Sequence, residues 1–102
     1  MGATLIAKEA GLEPTRDALD ERMKTENLSP RWWSNGPGDE YDWHKHPYHK
    51  VLYCQFGSIE FHTRSGDIEL HPGDRLEIEP GTEHAASVGS AGVVCVEAAR
   101  YP

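Results

Sequence analysis

The sequence is poor in cysteine, in positive charge and in long apolar runs. Its two cysteines, Cys54 and Cys95, form no CxxC pair and are too few for a disulfide scaffold. Each sits in an apolar run, where a free thiol behaves as a small hydrophobe. A reduced, cytoplasmic setting is therefore expected, with one Cys54–Cys95 bridge as the alternative. Ten Lys and Arg stand against 17 Asp and Glu, giving a formal charge of -7. No basic stripe interrupts that balance, so phosphate backbones are repelled and nucleic acid is not an expected partner. No apolar run approaches the roughly 20 residues that a bilayer-spanning helix needs. The opening MGATLIAKEAG lacks the basic start and long apolar stretch of a secretory signal. A membrane is not an expected partner either.

What is present fits one small domain of 102 residues. Hydrophobic residues make up 37%, a lean core for a chain of this size, which favours a homodimer on general grounds. The first third, about residues 1–31, reads as a helical extension. Thr15 caps a helix running to about Asn27, with Asp17 near its positive end. Leu19 and Met23 form its apolar stripe, and Asp20 pairs with Lys24 at i,i+4. Pro30 stops it. This helix is expected to pack outside the main body or against a partner subunit.

From about residue 32 to 102 the pattern changes to short strands between turn residues. The strands expected are 41–46, 50–56, 58–63, 67–71, 75–79, 84–88 and 93–98, separated by segments such as Asn35-Gly36-Pro37-Gly38, Gly57, Pro72-Gly73-Asp74 and Gly89-Ser90. Leu76 and Ile78 alternate with Arg75, Glu77 and Glu79, as a half-buried strand requires. The fold class is all-β, an antiparallel sandwich or barrel with a short N-terminal helix.

Six histidines are many for this length. His44 and His46 are two apart, so on a strand both imidazoles leave the same face, as adjacent ligands of one metal must. Imidazole suits Zn, Cu, Fe and Ni.

The surrounding spacing is Gly38, five residues, His44-Lys45-His46, three residues, Lys50, six residues, Gly57. It resembles the first motif of the cupin family, glycine, His-x-His, Glu, glycine. Fifteen residues on, Gly73-Asp74 through Pro80-Gly81-Thr82-Glu83-His84 resembles the second motif. The resemblance implies a jelly-roll-like barrel, or double-stranded β-helix, with His44, His46 and His84 pointing into one mouth as ligands. It implies a divalent transition metal there, one of Fe, Mn, Ni, Zn or Cu.

Three departures from the motifs stand out. Lys50 occupies the position of the motif-one Glu, normally a fourth ligand. Pro80 is displaced by one, with Glu79 in its place, and Val88 replaces an asparagine. Lys50 leaves three readings open. The metal is held by three histidines alone, or His49 swings in as a fourth ligand, although alternation aims it at the opposite face. Otherwise Lys50 pairs with Glu77 or Glu97 and the site holds no metal.

The remaining residues receive structural roles. His62 and His71 are expected to be exposed, and Tyr41 and Trp43 to pack behind the ligand face. Trp32 and Trp33 lid the pocket or fill a dimer interface. Arg75 is a solvent-facing partner of Glu77 and Glu79. Leu52, Cys54 and Phe56 line the barrel on the Lys50 face. No Ser-His-Asp or Cys-His arrangement is supported, and no phosphate loop is present. The expected function is a metal-dependent enzyme, dioxygenase- or isomerase-like, on a small polar molecule. The alternative is a non-catalytic module that binds or senses a small ligand.

Overall fold

In the computed structural model, which describes residues 2–101, the helix begins where its cap places it. Thr15 is extended, and its side-chain oxygen accepts the Ala18 N–H, opening α1 (Arg16–Thr25). At the other end Asn27 adopts a φ of 60°. There Leu28 N–H reaches Met23 O at 2.9 Å and Asn27 N–H reaches Lys24 O at 3.0 Å. That pair of bonds is a Schellman ending, and Met23 and Leu28 share its apolar contact. Asp20 does not pair with Lys24 as expected; its carboxylate accepts the Trp32 indole N–H at 2.8 Å.

Seven strands follow or precede the helix: β1 (Ala3–Ile6), β2 (Arg31–Asn35), β3 (Glu40–His44), β4 (His49–Thr63), β5 (Gly66–Leu70), β6 (Arg75–Ile78) and β7 (His84–Arg100). All pairings are antiparallel. Two long strands, β4 and β7, pair with each other along their length and organise the rest. The first half of β4 carries β6 and then β1, while the second half of β7 carries β2. The other ends carry β5 and β3. The result is the expected jelly-roll architecture, a double-stranded β-helix whose sheet stays open rather than closing into a ring.

The expected breaks at Gly57 and Gly89-Ser90 are bends inside continuous strands. The β4–β7 register shifts between Cys54 and Phe56 and again between Gly57 and Ile59, which is how a strand passes from one sheet to the other. At the bend Gly57 has φ +75°, and a Cβ there would sit 1.9 Å from Gly92 O. Only glycine fits where the two chains cross so closely. The same irregularity turns Phe56 outward, to 53% exposure, so it does not line the interior with Leu52 and Cys54. Segments 3–6 and 31–35, outside the expected strands, pair as edges.

Alternation divides the apolar residues into two cores. Leu52, Cys54, Ile59, Phe61, Leu76, Val93 and Cys95 fill the space between the sheets. Val51, Tyr53, Val96 and Ala98 point the other way and receive Leu19 and Met23 of the helix. Those two helical side chains are fully buried, each contributing about 1.5–3 kcal/mol of transfer free energy. The helix thus caps the outside of one sheet. The cysteines lie opposite each other across β4 and β7, both buried and both free.

Arg75 is a correction to the expectation of a solvent-facing side chain, since it is buried. Its guanidinium bonds Glu26 at 2.7 and 2.9 Å, Glu77 at 3.0 Å and the Tyr53 hydroxyl at 2.9 Å. Arg100 joins Glu26 and Glu77 at 3.0 and 3.3 Å, so a charge network ties the end of α1 to both sheet strands.

Candidate metal centre

β3 delivers His44 to a position directly opposite His84, the first residue of β7. His46 lies just beyond β3, and its carbonyl is held by the Gly81 N–H at 2.8 Å. The motif-two turn therefore fastens the motif-one strand. Ring centroids are separated by 4.3 Å for His44–His84, 4.9 Å for His44–His46 and 5.3 Å for His46–His84. One ligand atom from each residue lies within 4.8 Å of the other two.

Hydrogen bonding orients these rings. His44 Nδ1 meets Asp42 O at 2.7 Å and His84 Nδ1 meets Thr82 O at 2.9 Å. A carbonyl only accepts, so both Nδ1 atoms carry the proton and both Nε2 atoms present a lone pair. His46 Nε2 is buried with no hydrogen-bond partner among the described residues. Burial of a polar atom without a partner is costly, and a Lewis acid would satisfy it. Burial, then the Lys50 ammonium and the neighbouring imidazoles, push His46 down to about 4. Burial likewise lowers His84, against the Thr82 carbonyl. These two are neutral at pH 7, the form that ligates. The donors fit a divalent transition metal.

The three rings open into a hollow of about 290 Å³ whose walls include Trp33, Tyr41, Leu52, Ile59 and Phe61. Lys50 also faces it, and its Nζ lies 3.4 Å from Glu97 Oε1. The carboxylate missing from the motif-one position is therefore present on the adjacent strand β7, opposite Leu52 and paired with the lysine that replaced it. Glu97 Oε1 also accepts the Trp33 indole N–H at 2.8 Å.

Other expected site residues lie elsewhere. His49 points to the opposite face, 2.8 Å from Glu77, and the structure does not bring it to the three. Tyr41 does not pack behind the ligands; a register shift between Tyr41 and His44 turns it into the hollow, with its hydroxyl on Asn35. Trp43 is exposed beneath the Arg64 guanidinium. Trp32 packs on the helix and Trp33 in the hollow, so the two share no single role. Tyr48, stacked on His46 at 4.9 Å, was missed, although it continues the 44, 46, 48 alternation.

A second cluster was also missed. On three adjacent strands, His62 Nδ1 meets Asp67 at 2.8 Å and His62 Nε2 meets the Ser87 hydroxyl at 2.9 Å. Ser, His and Asp are thus assembled by folding although no sequence pattern announces them, and His62 is half-buried rather than exposed. Glu60, His62 and Asp67 have ligand atoms within 4.8 Å of one another, but both imidazole nitrogens are already engaged.

A family model described as Cupin domain matches residues 31–97. A search of curated proteins finds no match. Solved structures similar to the chain include the DMSP lyases RdDddP and RnDddQII, at 25% identity and TM-score 0.62, covering 72% of this chain and 37% of that one. DMSP lyase DddQ from Ruegeria pomeroyi DSS-3 is similar at 23% identity and TM-score 0.67, covering 72% and 38%. A cupin-2 domain containing protein from Shewanella frigidimarina NCIMB 400 is similar at 20% identity and TM-score 0.61, covering 72% and 71%. The chain spans little more than a third of the lyase chains.

Proposed function

The chain belongs to the cupin family, and we propose that it is a metal-dependent enzyme acting on a small polar molecule in the mouth formed by His44, His46 and His84. One observation carries this reading: imidazoles turned so that their free nitrogens share one small hollow, one of them buried without a partner. When bound, a divalent ion supplies a Lewis acid that polarises a substrate oxygen. The chain supplies the rest. Asp42 O and Thr82 O fix two ligand tautomers. Trp33, Tyr41 and Phe61 exclude water from one side. The Lys50–Glu97 pair keeps a cation and an anion beside the ligands with little net charge.

Three neutral nitrogen ligands leave a bound ion its full charge and open coordination positions. Dioxygenase- and isomerase-like chemistry both use such a centre, and likeness to DMSP lyases adds lyase chemistry to the candidates. A non-catalytic ligand-binding role is the second reading. It is favoured by Lys50, which places an ammonium where the family's carboxylate ligand stands. Titration with Co(II) separates the two. The metal reading expects imidazole-ligated d–d bands that saturate at about one ion per chain, and featureless spectra would leave the binding module. We also read the chain as a cytoplasmic homodimer. Free buried cysteines support the first, and exposed Leu5 and Ile6 on the edge strand β1 support the second; light scattering tests the dimer. No helix among the described residues is long and apolar enough to cross a membrane.

A further inference from the structure

We propose that the substrate is a small carboxylate with an apolar body, and that Arg31 is the residue that reads its charge. The inference rests on the reading of the triad as the functional mouth and names what enters it.

The argument is one of uncompensated charge. Arg31 and Trp33 are two apart on β2, so both side chains leave the face that lines the hollow. Glu97 stands directly opposite Arg31 in the β2–β7 register, where cross-strand charges of opposite sign ordinarily pair. Here they do not. Glu97 turns to Lys50 and to the Trp33 indole, and no carboxylate of the described residues forms an ion pair with Arg31. Arg100, the next guanidinium along β7, is already held by Glu26 and Glu77. Among the described residues that line the hollow, Lys50 is paired with Glu97, and Arg31, exposed at the rim, has no carboxylate within ion-pair distance.

The chain as a whole carries -7, so this cationic mouth is a local exception in a field that repels anions. Such a patch selects the site at which an anion is admitted. A single guanidinium presents a planar fork that matches a carboxylate bidentately. A phosphate dianion would call on a second free cation, and Lys50 is spent on Glu97. The hollow, about 290 Å³, is at the small end of ligand sites. Its Trp33, Tyr41, Leu52 and Phe61 walls suit a short hydrocarbon body, with the far end of the ligand facing the three imidazoles.

Chelator-stripped full-length protein, titrated with butyrate, butyramide and inorganic phosphate, tests this by ¹H–¹⁵N NMR. The Trp33 indole N–H, bonded to Glu97 inside the hollow, is the reporter. Butyrate should shift it saturably and butyramide should not. Arg31→Gln should weaken butyrate by about tenfold or more, with the rest of the spectrum unchanged, while Arg64→Gln should leave binding intact. Equal binding of acid and amide, an unchanged affinity in Arg31→Gln, or tighter binding of phosphate would each overturn the proposal. Cobalt titration of Arg31→Gln keeps the two readings apart. In Arg31→Gln cobalt should bind as in wild type while butyrate recognition is lost. Wild-type protein that takes cobalt but does not recognise butyrate sinks only this inference, whereas butyrate recognition in a chain that never takes cobalt sinks only the metal.

Discussion

Among the described residues two groups of side chains could hold a metal ion, His44 with His46 and His84, and Glu60 with His62 and Asp67, and they are opposite in chemistry. In each, three residues bring ligand atoms within 4.8 Å of one another. His62 has both ring nitrogens engaged, one by Asp67 and one by Ser87, so it acts as a bracket across β4, β5 and β7. His44 and His84 each use one nitrogen on a backbone carbonyl and keep the other free, and His46 Nε2 is buried with none. Proximity of donor atoms does not make a metal site. Unspent lone pairs, oriented by a partner on the other nitrogen, do.

Ligand removal makes the sharpest separation between the clusters. His84→Ala should reduce metal affinity by more than about 100-fold, beyond the loss typical of outer-shell changes. His62→Ala should leave affinity unchanged. Equal losses, measured by competition with a chromogenic chelator, would erase the contrast. Charge inversion is the next test. Lys50→Glu places a second carboxylate beside Glu97 and restores the motif-one ligand, so metal should bind about tenfold tighter. The metal-free variant should also melt lower than wild type, through like-charge repulsion, and metal should reverse that loss. Unchanged affinity would mean that position 50 stands too far from the ions' place to ligate.

Acid should act on the metal-free ligand cluster and also on the charge network outside both clusters. His46 and His84, held low in the folded state, cost stability as pH falls below their unfolded value of about 6.5. The Arg75 guanidinium, bonded to Glu26, holds that carboxyl below its usual range. Glu77 is also lowered: burial opposes this, and bonds from His49 and Arg75 outweigh it. Carboxylates lowered in the folded state contribute stability above their unfolded value of about 4.3, and that stability is lost as pH falls through the folded values. Unfolding midpoints should therefore drop steeply below about pH 4.3, and Glu26→Gln should flatten the drop. A profile identical to wild type would show that the network does not carry acid sensitivity. The smallest effect belongs to Ser87→Ala, which removes one hydrogen bond of the bracket. It should cost about 1 kcal/mol in chemical denaturation and nothing in metal binding.

Much of this was legible in the sequence because it depends on local period. The i,i+2 spacing of His44 and His46, the Thr15 cap, Leu19 with Met23, and the placing of Leu52 and Cys54 on the Lys50 face all follow from strand or helix geometry. What escaped depends on where that period fails or on pairing between distant segments. The register shift before His44 redirected Tyr41, and the bend at Gly57 redirected Phe56. Glu97 was one of two partners open to Lys50, and only the β4–β7 register selects it. Arg75 looked solvent-facing because alternation shows which face a residue takes, not that α1 covers that face and brings Glu26 to it. His62, Asp67 and Ser87 lie on three strands, and nothing in their spacing foretells their meeting.

The most direct test of the central claim is elemental analysis of wild type, His46→Ala and His62→Ala, expressed and purified side by side without added metal. The account expects about one transition-metal ion per chain in wild type and His62→Ala, and close to none in His46→Ala. Metal near zero in all three, or retained in His46→Ala and lost in His62→Ala, would contradict it.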